Sequence, residues 1–369
     1  TKPNIAAQPL KRSASGVIIK KVIYVKYCNI INEDLKSIFL KINQKFNLVD
    51  HVDKMELSKD TTVFNSSVES LNDFKPSFSI GERTRSYLKV QDGCDYTCSF
   101  CTIPLARGKS RSADVKTTMK IAREIETHGV KEIVLTGVNV GDFGHKGEET
   151  FFDLISELDR LDNIERIRVS SIEPNLLNES IIEFCNSSKL FMPHYHMPLQ
   201  SGSNKLLKAM RRRYDRDHYR DKVNLIKSLD PSACIGADVI VGFPGETDDD
   251  FLDTYNFIRD LDLVYLHVFS YSERDNTDAK SYQNSVPKTK RLERSRILRN
   301  LSDKKRHLFQ EQYINSTREV LFESMKCGYT IGYSDNYIQV KVPQSPELIN
   351  SIHLVNLKKE EGGVVFGEL

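Results

Sequence analysis

The sequence predicts an α/β fold: a partial (βα)6 barrel, with a small β-barrel at its C-terminal end and an incomplete α/β segment at its N-terminal end. Three observations point there. From Arg83 onward, short apolar runs alternate with stretches of helical period, the pattern of βα units around a parallel sheet. Residues of unusual chemistry fall just after those apolar runs, where parallel α/β folds gather their sites. Beyond about Thr317 the helical period stops, and short alternating runs broken by Gly and Asn follow, as in a small barrel.

A chain of 369 residues has room for two to three domains, expected here at 1–79, 80–312 and 313–369. With 39% hydrophobic and 28% charged residues it reads as soluble and globular, with no apolar run suited to a membrane. The net charge of +2 means that any attraction to nucleic acid must come from local patches. Seven cysteines, three of them clustered, do not form a secreted disulfide framework and point to a reducing, cytoplasmic setting. The first residues show no secretory leader.

Residues 1–79 carry the weakest pattern. Val22–Cys28 reads as a strand, Glu33–Phe46 has a helix-compatible period, and Cys28 is either a small core residue or a ligand. Strands are then expected at Tyr87–Gln91, Glu132–Thr136, Arg166–Ser170, His194–Leu199, Ile235–Val241 and Leu263–Phe269. Helices are expected near Val115–His128, Phe152–Leu161, Glu179–Asn186, Asn204–Met210, Asp217–Ser228 and Thr247–Asp260, with Ser203 and Thr247 as caps. A basic helix over residues 288–308 should pack through Leu292, Ile297, Leu298, Leu301 and Leu308 and leave a cationic face that includes Lys304, Lys305 and Arg306.

The densest chemistry lies at Cys94, Cys98 and Cys101, spaced C-x3-C-x2-C between a short apolar run and a Pro- and Gly-bounded loop. Three thiolates can hold three corners of a cubane iron–sulfur cluster and leave one iron open to a non-protein ligand. The competing reading is structural zinc, which wants a fourth closed ligand at knuckle spacing. The glycine-rich turn Gly137-Val-Asn139 can present carbonyls to an ammonium group or be a plain loop. Glu173 either accepts hydrogen bonds from a ligand or simply precedes Pro174. His194 and His196 share a strand face, as a metal pair or as packed side chains. Gln200 and Ser201 are candidates for polar contacts to cofactor or substrate. Arg211, Arg212 and Arg213, interleaved with tyrosines and aspartates, read as a nucleic-acid edge or a solvated face. Arg274 could meet a carboxylate or a phosphate, and Cys327 reads as packing or surface.

Phe100 completes C-x3-C-x-Φ-C, which resembles the signature of the radical S-adenosylmethionine (radical SAM) enzymes. Together with residues 83–112, 135–144, 197–210, 238–247 and 268–272, it makes the chain similar to the radical SAM methylthiotransferases. The most similar branch converts N6-threonylcarbamoyladenosine at tRNA position 37 to its 2-methylthio form. The resemblance implies a TIM-like radical SAM barrel and a terminal TRAM-like RNA-binding barrel. It implies that Cys94, Cys98 and Cys101 bind a [4Fe-4S] cluster that cleaves S-adenosylmethionine. The 5′-deoxyadenosyl radical would take hydrogen from C2 of the adenine, which a methylthio group then replaces. Phe100, Gly137, Asn139, Glu173, Gln200, Ser201, Asp238 and Gly242 would surround the cofactor. The partners implied are tRNA, through an anticodon-loop adenosine, and an electron donor such as flavodoxin or ferredoxin. The family also carries a second [4Fe-4S] cluster on three N-terminal cysteines, whereas only Cys28 precedes Cys94 here. The expectation is therefore a truncated or rearranged copy that lacks the second cluster and is impaired in sulfur insertion. Alternatives are the sister enzyme acting on an aspartate of a ribosomal protein, or a tRNA-binding remnant without turnover.

Overall fold

The structure, a computed structural model, describes residues 74–79, 84–145 and 147–369, together with the backbone of four short strands nearer the N-terminus. It divides into two compact units: one of Thr1–Asp73, Gly93–Tyr96 and Thr102–Lys109, the other of Phe74–Asp92, Thr97–Cys101 and Ser110–Leu369.

In the first unit, β1 (Lys11–Ser13), β2 (Gly16–Ile19), β3 (Ile38–Leu40) and β4 (Val63–Phe64) form one sheet in that order. β1–β2 and β2–β3 pair antiparallel, and β3–β4 pair parallel. β3 corrects the helix expected over Glu33–Phe46: Ile38 and Phe39 are good strand formers, and two neighbouring strands take their backbone. Val22–Cys28 lies outside the described residues. A short helix, α1 (Ile103–Arg107), carries Pro104 in its first turn, where the missing N–H costs nothing.

The second unit opens with β5 (Arg85–Lys89), followed by a small antiparallel pair, β6 (Gln91–Asp92) and β7 (Arg111–Ser112). Then α2 (Val115–Glu126), β8 (Glu132–Thr136), α3 (Phe151–Leu158), β9 (Arg166–Val169), α4 (Glu179–Ser187) and β10 (His194–His196) alternate. They continue through α5 (Asn204–Ala209), α6 (Arg216–Leu229), β11 (Cys234–Val241), α7 (Asp248–Asp260) and β12 (Tyr265–Ser270). β5, β8 and β9 pair parallel, as do β10, β11 and β12, and parallel bridges Ile167–Phe191 and Ser171–His196 join the two sets. The result is a parallel α/β core in chain order, as alternation predicted.

Local chemistry accounts for the boundaries. Asp114, Asn178 and Asp215 accept the backbone N–H three residues on, and Thr150 with Asp153 and Thr247 with Asp250 close capping boxes. Ser203 does not cap α5 as expected; its hydroxyl donates to Asp250 Oδ1 at 3.0 Å. β10 stops at His196, short of Leu199, because Pro198 has no N–H for the ladder. The Met197 and Leu199 N–H groups still reach the Gly236 and Asp238 carbonyls at 2.9 and 3.1 Å.

The core between sheet and helices is apolar, with Leu88, Ile133, Leu135, Ile167, Ile235 and Val239 fully buried. α8 (Lys288–Glu311) packs differently from the expected leucine stripe. Leu298 and Leu301 are buried, but Leu292 and Leu308 are 67% and 58% exposed, and Arg291 and Arg294 take buried positions. Their partners explain it. Arg291 donates to the Val286 and Tyr271 carbonyls, and Arg294 pairs with the buried Glu246 at 2.9 Å. A charge that finds such partners can be buried where an unpaired one cannot.

Five strands, β13 (Thr317–Lys326), β14 (Tyr329–Ser334), β15 (Gln339–Pro343), β16 (Ile352–Glu361) and β17 (Val364–Glu368), close into a barrel in the order β13-β14-β15-β17-β16. Val320, Phe322, Val340, Val355, Leu357 and Val365 fill its own core. Arg166 and Arg168 reach from β9 to the Glu319, Tyr333, Ser334 and Asp335 carbonyls at 2.8–3.0 Å. Tyr337, between β14 and β15, stacks on His194 with ring centroids 3.9 Å apart.

Candidate radical-generating site

The cysteine loop is shared between the two units, and each part has its own support. In the first unit the Cys94 N–H donates to the Gly108 carbonyl at 3.1 Å, and the Tyr96 N–H faces Cys94 Sγ at 3.4 Å. Gly93 has a φ of +74°, and a β-carbon there would stand 2.0 Å from the Lys109 carbonyl oxygen. Neither the conformation nor the space admits a side chain. Gly93→Ala is therefore expected to cost about 1–3 kcal/mol locally and to lower the iron content of reconstituted protein relative to wild type.

In the second unit the Cys101 N–H bonds the Cys98 carbonyl, while Ser99 fastens the loop to the end of α5. Ser99 donates from N to Met210 O at 3.2 Å and from Oγ to Ala209 O at 2.9 Å, and its carbonyl accepts from Ala279 N–H at 2.8 Å. Phe100 meets Phe243 edge-on at 6.4 Å and packs against a cluster of Leu206, Met210, Phe243, Tyr271 and Ala279. That contact ties the loop aromatic to the turn after β11.

Arg212, expected at an RNA-facing edge, is turned inward with a side chain 4% exposed. Nη1 donates to Cys98 Sγ at 3.2 Å, Nε reaches Tyr214 Oη at 3.2 Å, and Nη2 pairs with the Glu173 carboxylate. Burial by itself would lower this guanidinium, but Tyr214, Glu173 and Cys98 outweigh it and hold the group well above the usual arginine range. Glu173 is thus a partner of Arg212, and its backbone N–H also reaches Asn139 Oδ1 at 3.3 Å.

The turn after β8 is braced from behind. Gln91 Oε1 accepts from the Val138 and Asn139 N–H groups at 2.9 and 3.0 Å, and a β-carbon at Gly137 would sit 3.0 Å from that oxygen. Asn139 is 3% exposed, and its Nδ2 has no hydrogen-bond partner among the described residues. A buried donor left open is costly unless a ligand takes it. Gln200 stands after β10 with a φ of +65°, and its backbone bonds to Asp238 and Ile240. Ser201 is buried against Thr254 at 3.2 Å, so its hydroxyl is spent inside the fold. Asp238 faces His196, 3.1 Å from its Nε2. Gly242, at φ +76°, leaves room for Arg291, whose Cγ would lie 2.2 Å from an added β-carbon.

The thiols differ in kind. Burial pushes Cys185 and Cys234 up to about 12, which keeps them inert. Cys94, Cys98 and Cys101 stand as partly exposed thiols. Within the second unit, the Cys98 and Cys101 sulfurs, an arginine N–H aimed at one of them and an open amide at Asn139 suit thiolate-held iron with a chelating, carboxylate-bearing ligand.

A family model described as the radical SAM superfamily matches residues 88–258. The chain is 33% identical over 345 residues to the threonylcarbamoyladenosine tRNA methylthiotransferase MtaB of Chlamydia pneumoniae, covering 92% of this chain and 80% of that one. The chain belongs to the radical SAM methylthiotransferase family. Relatives of the same name from Thermotoga maritima, 33% identical over 88% of this chain and 75% of that one, and from Bacillus subtilis, 40% identical over 77% of this chain, are similar as well. The chain covers 64% of the Bacillus subtilis relative's length, just under two thirds.

Of the residues expected to face RNA, Arg211 is exposed but pairs with Asp278 at 2.6 Å, and Arg213 and Lys304 are exposed. Lys305 points back to cap α7, donating to the Arg259 and Leu261 carbonyls at 3.0 and 2.6 Å, and Arg306 pairs with Asp303 at 2.6 Å. Cys28 lies outside the described residues. Among the described residues no helix is long and apolar enough to cross a membrane. Two residues escaped the sequence reading: Gln91, which braces the Gly137 turn, and His267, beside His196. Gln91 is a lone amide after an apolar run, and nothing in the pattern marks it. His267 lies in an expected strand, at a register that only strand pairing reveals.

Proposed function

We propose that this chain is the radical-generating part of a tRNA methylthiotransferase that acts at C2 of N6-threonylcarbamoyladenosine at tRNA position 37. The single observation that carries the reading is Cys98, held in a C-x3-C-x-Φ-C loop with the buried Arg212 guanidinium on its sulfur. The similar threonylcarbamoyladenosine tRNA methylthiotransferases support the choice of substrate. In this reading Cys94, Cys98 and Cys101 hold a [4Fe-4S] cluster and Asn139 offers its amide to S-adenosylmethionine. Bound there, the pair supplies one-electron cleavage of the sulfonium. Phe100 lines the cofactor from the Phe243 side, Gly137 gives carbonyl access, and Gln200 stands after β10, while the Asp238 carboxylate is taken by His196. Gly242 and Glu173 act through Arg291 and Arg212.

The six parallel strands serve as a TIM-like radical SAM barrel, and the closed five-stranded barrel serves as a TRAM-like RNA platform. Arg213, Lys304 and the neighbouring basic side chains supply phosphate contacts, so tRNA affinity should fall with salt. An electron donor of the flavodoxin or ferredoxin kind completes the system. The test is anaerobic reconstitution with iron and sulfide, then incubation with S-adenosylmethionine, dithionite and tRNA carrying N6-threonylcarbamoyladenosine. Formation of 5′-deoxyadenosine is expected, carrying deuterium when C2 of the tRNA nucleoside is labelled. Protein that holds a cluster yet yields no 5′-deoxyadenosine overturns the proposal, and so does cleavage that never draws the label from C2.

A further inference from the structure

Three strands converge on a polar cluster that the cysteine loop does not use. His196 ends β10, while Asp238 and His267 lie directly opposite each other on β11 and β12. Because His196 is in register with Gly236, two residues before Asp238, strand alternation carries all three side chains to one face. Their ligand-type atoms all lie within 4.8 Å of one another. His196 Nε2 is 3.1 Å from Asp238 Oδ1, and the His196 and His267 ring centroids are 5.2 Å apart.

Behind them stands a second layer. The Tyr265 hydroxyl lies 3.3 Å from His196 Nδ1 and 2.9 Å from His194 Nε2, so the far nitrogen of His196 is engaged and the near one is turned to Asp238. Tyr265 can do this because residue 236 is glycine: a β-carbon there would stand 2.1 Å from Tyr265 Cζ. His194, in turn, is stacked on Tyr337.

We propose that His196, Asp238 and His267 form a binding site for a divalent transition-metal ion, with zinc as the simplest occupant. Two imidazoles and a carboxylate are a nitrogen–oxygen donor set suited to zinc and its neighbours. Ligands each about 2.0–2.2 Å from a common ion stand roughly 3–3.5 Å apart, so the His196–Asp238 separation already matches. The Tyr265 hydroxyl is the outer hydrogen-bond partner that metal-bound histidines use to fix their ring. His267 is exposed and lines, with Tyr265, Arg306 and Phe309, a cavity of about 370 Å³ through which an ion can enter. A bare His196–Asp238 hydrogen bond accounts for two of the three side chains. The His267 ring meets Tyr265 edge-on at 5.3 Å, and its nitrogens take no hydrogen bond among the described residues, which leaves them free to ligate.

The test uses the whole chain with its iron–sulfur cluster reconstituted, titrated anaerobically with Zn²⁺ by calorimetry and with Co²⁺ by absorption. One ion per chain is expected, with a Co²⁺ spectrum of nitrogen and oxygen ligands. Tyr265→Phe should weaken binding about 10-fold and His267→Ala by more than that. Each variant's cluster absorbance and thermal midpoint report that it is folded, and the exposed His267 tolerates truncation. Thiolate charge-transfer bands, which would place the ion on cysteines, overturn the proposal. So does Zn²⁺ affinity unchanged in His267→Ala, or absence of binding in the parent chain, which would leave a hydrogen-bonded trio only. None of these readouts depends on cleavage of S-adenosylmethionine, so a failure here is distinguishable from failure of the proposed function.

Discussion

Cys98→Ala is expected to abolish formation of 5′-deoxyadenosine while leaving the fold intact. Two thiolates cannot hold the three protein corners of a cubane cluster, so reconstituted iron and sulfide should fall with the activity. The side chain is only partly buried, and the surrounding loop is held by the Ser99 hydrogen bonds and the packing of Phe100, neither of which needs the sulfur. Unfolding stability should therefore change by no more than about 1 kcal/mol. Cys185→Ala makes the matched control, because that thiol is buried against apolar neighbours and should leave iron content unchanged. Parent-like yields of 5′-deoxyadenosine from Cys98→Ala would overturn its assignment as a cluster ligand.

Arg168→Ala carries the largest expected loss of stability. Its side chain is 2% exposed, and it donates to Glu132 at 2.9 Å and to the Ser334 and Asp335 carbonyls at 2.8 and 2.9 Å while lying over the Tyr337 ring at 5.1 Å. Truncation removes the closest cation from a carboxylate that is also 2% exposed, and leaves two carbonyls facing the hole. Breaking a buried pair in this way costs about 3–5 kcal/mol. Arg85, 3.4 Å from the other Glu132 oxygen, keeps the charge from being wholly unpaired and sets the expectation at the lower end. Chemical denaturation of parent and variant measures it, and proteolysis should release the residue 317–368 barrel sooner in the variant. A change under about 1 kcal/mol would show that the Arg168 contacts contribute little.

Much of the site was legible because its signal is local. Cys94, Cys98, Phe100 and Cys101 sit within eight residues, and a short loop with that spacing can gather around one metal group whatever the rest of the chain does. The helices were legible for the same reason: Asp114, Thr150 and Thr247 reach N–H groups three residues away, so their effect needs no partner from elsewhere. Leu292 and Leu308 were misplaced because period describes a helix face but not what covers it. Arg291 and Arg294 took the covered positions once Glu246, Tyr271 and Val286 supplied their hydrogen bonds. Arg212 was misjudged likewise, since neither Glu173 nor Cys98 is near it in sequence.

The sequence by itself determined the succession of strands and helices, the thiol triplet and the family, all of which rest on spacing along the chain. Only the tertiary structure decided which polar groups met: Arg212 with Cys98, Arg168 with the C-terminal barrel, and His196 and Asp238 with His267. The physical reason is that a buried charge or imidazole is stable only where partners satisfy it, and those partners come from strands and helices dozens to more than a hundred residues away. Spacing selects the candidates, while strand register and packing select the contacts.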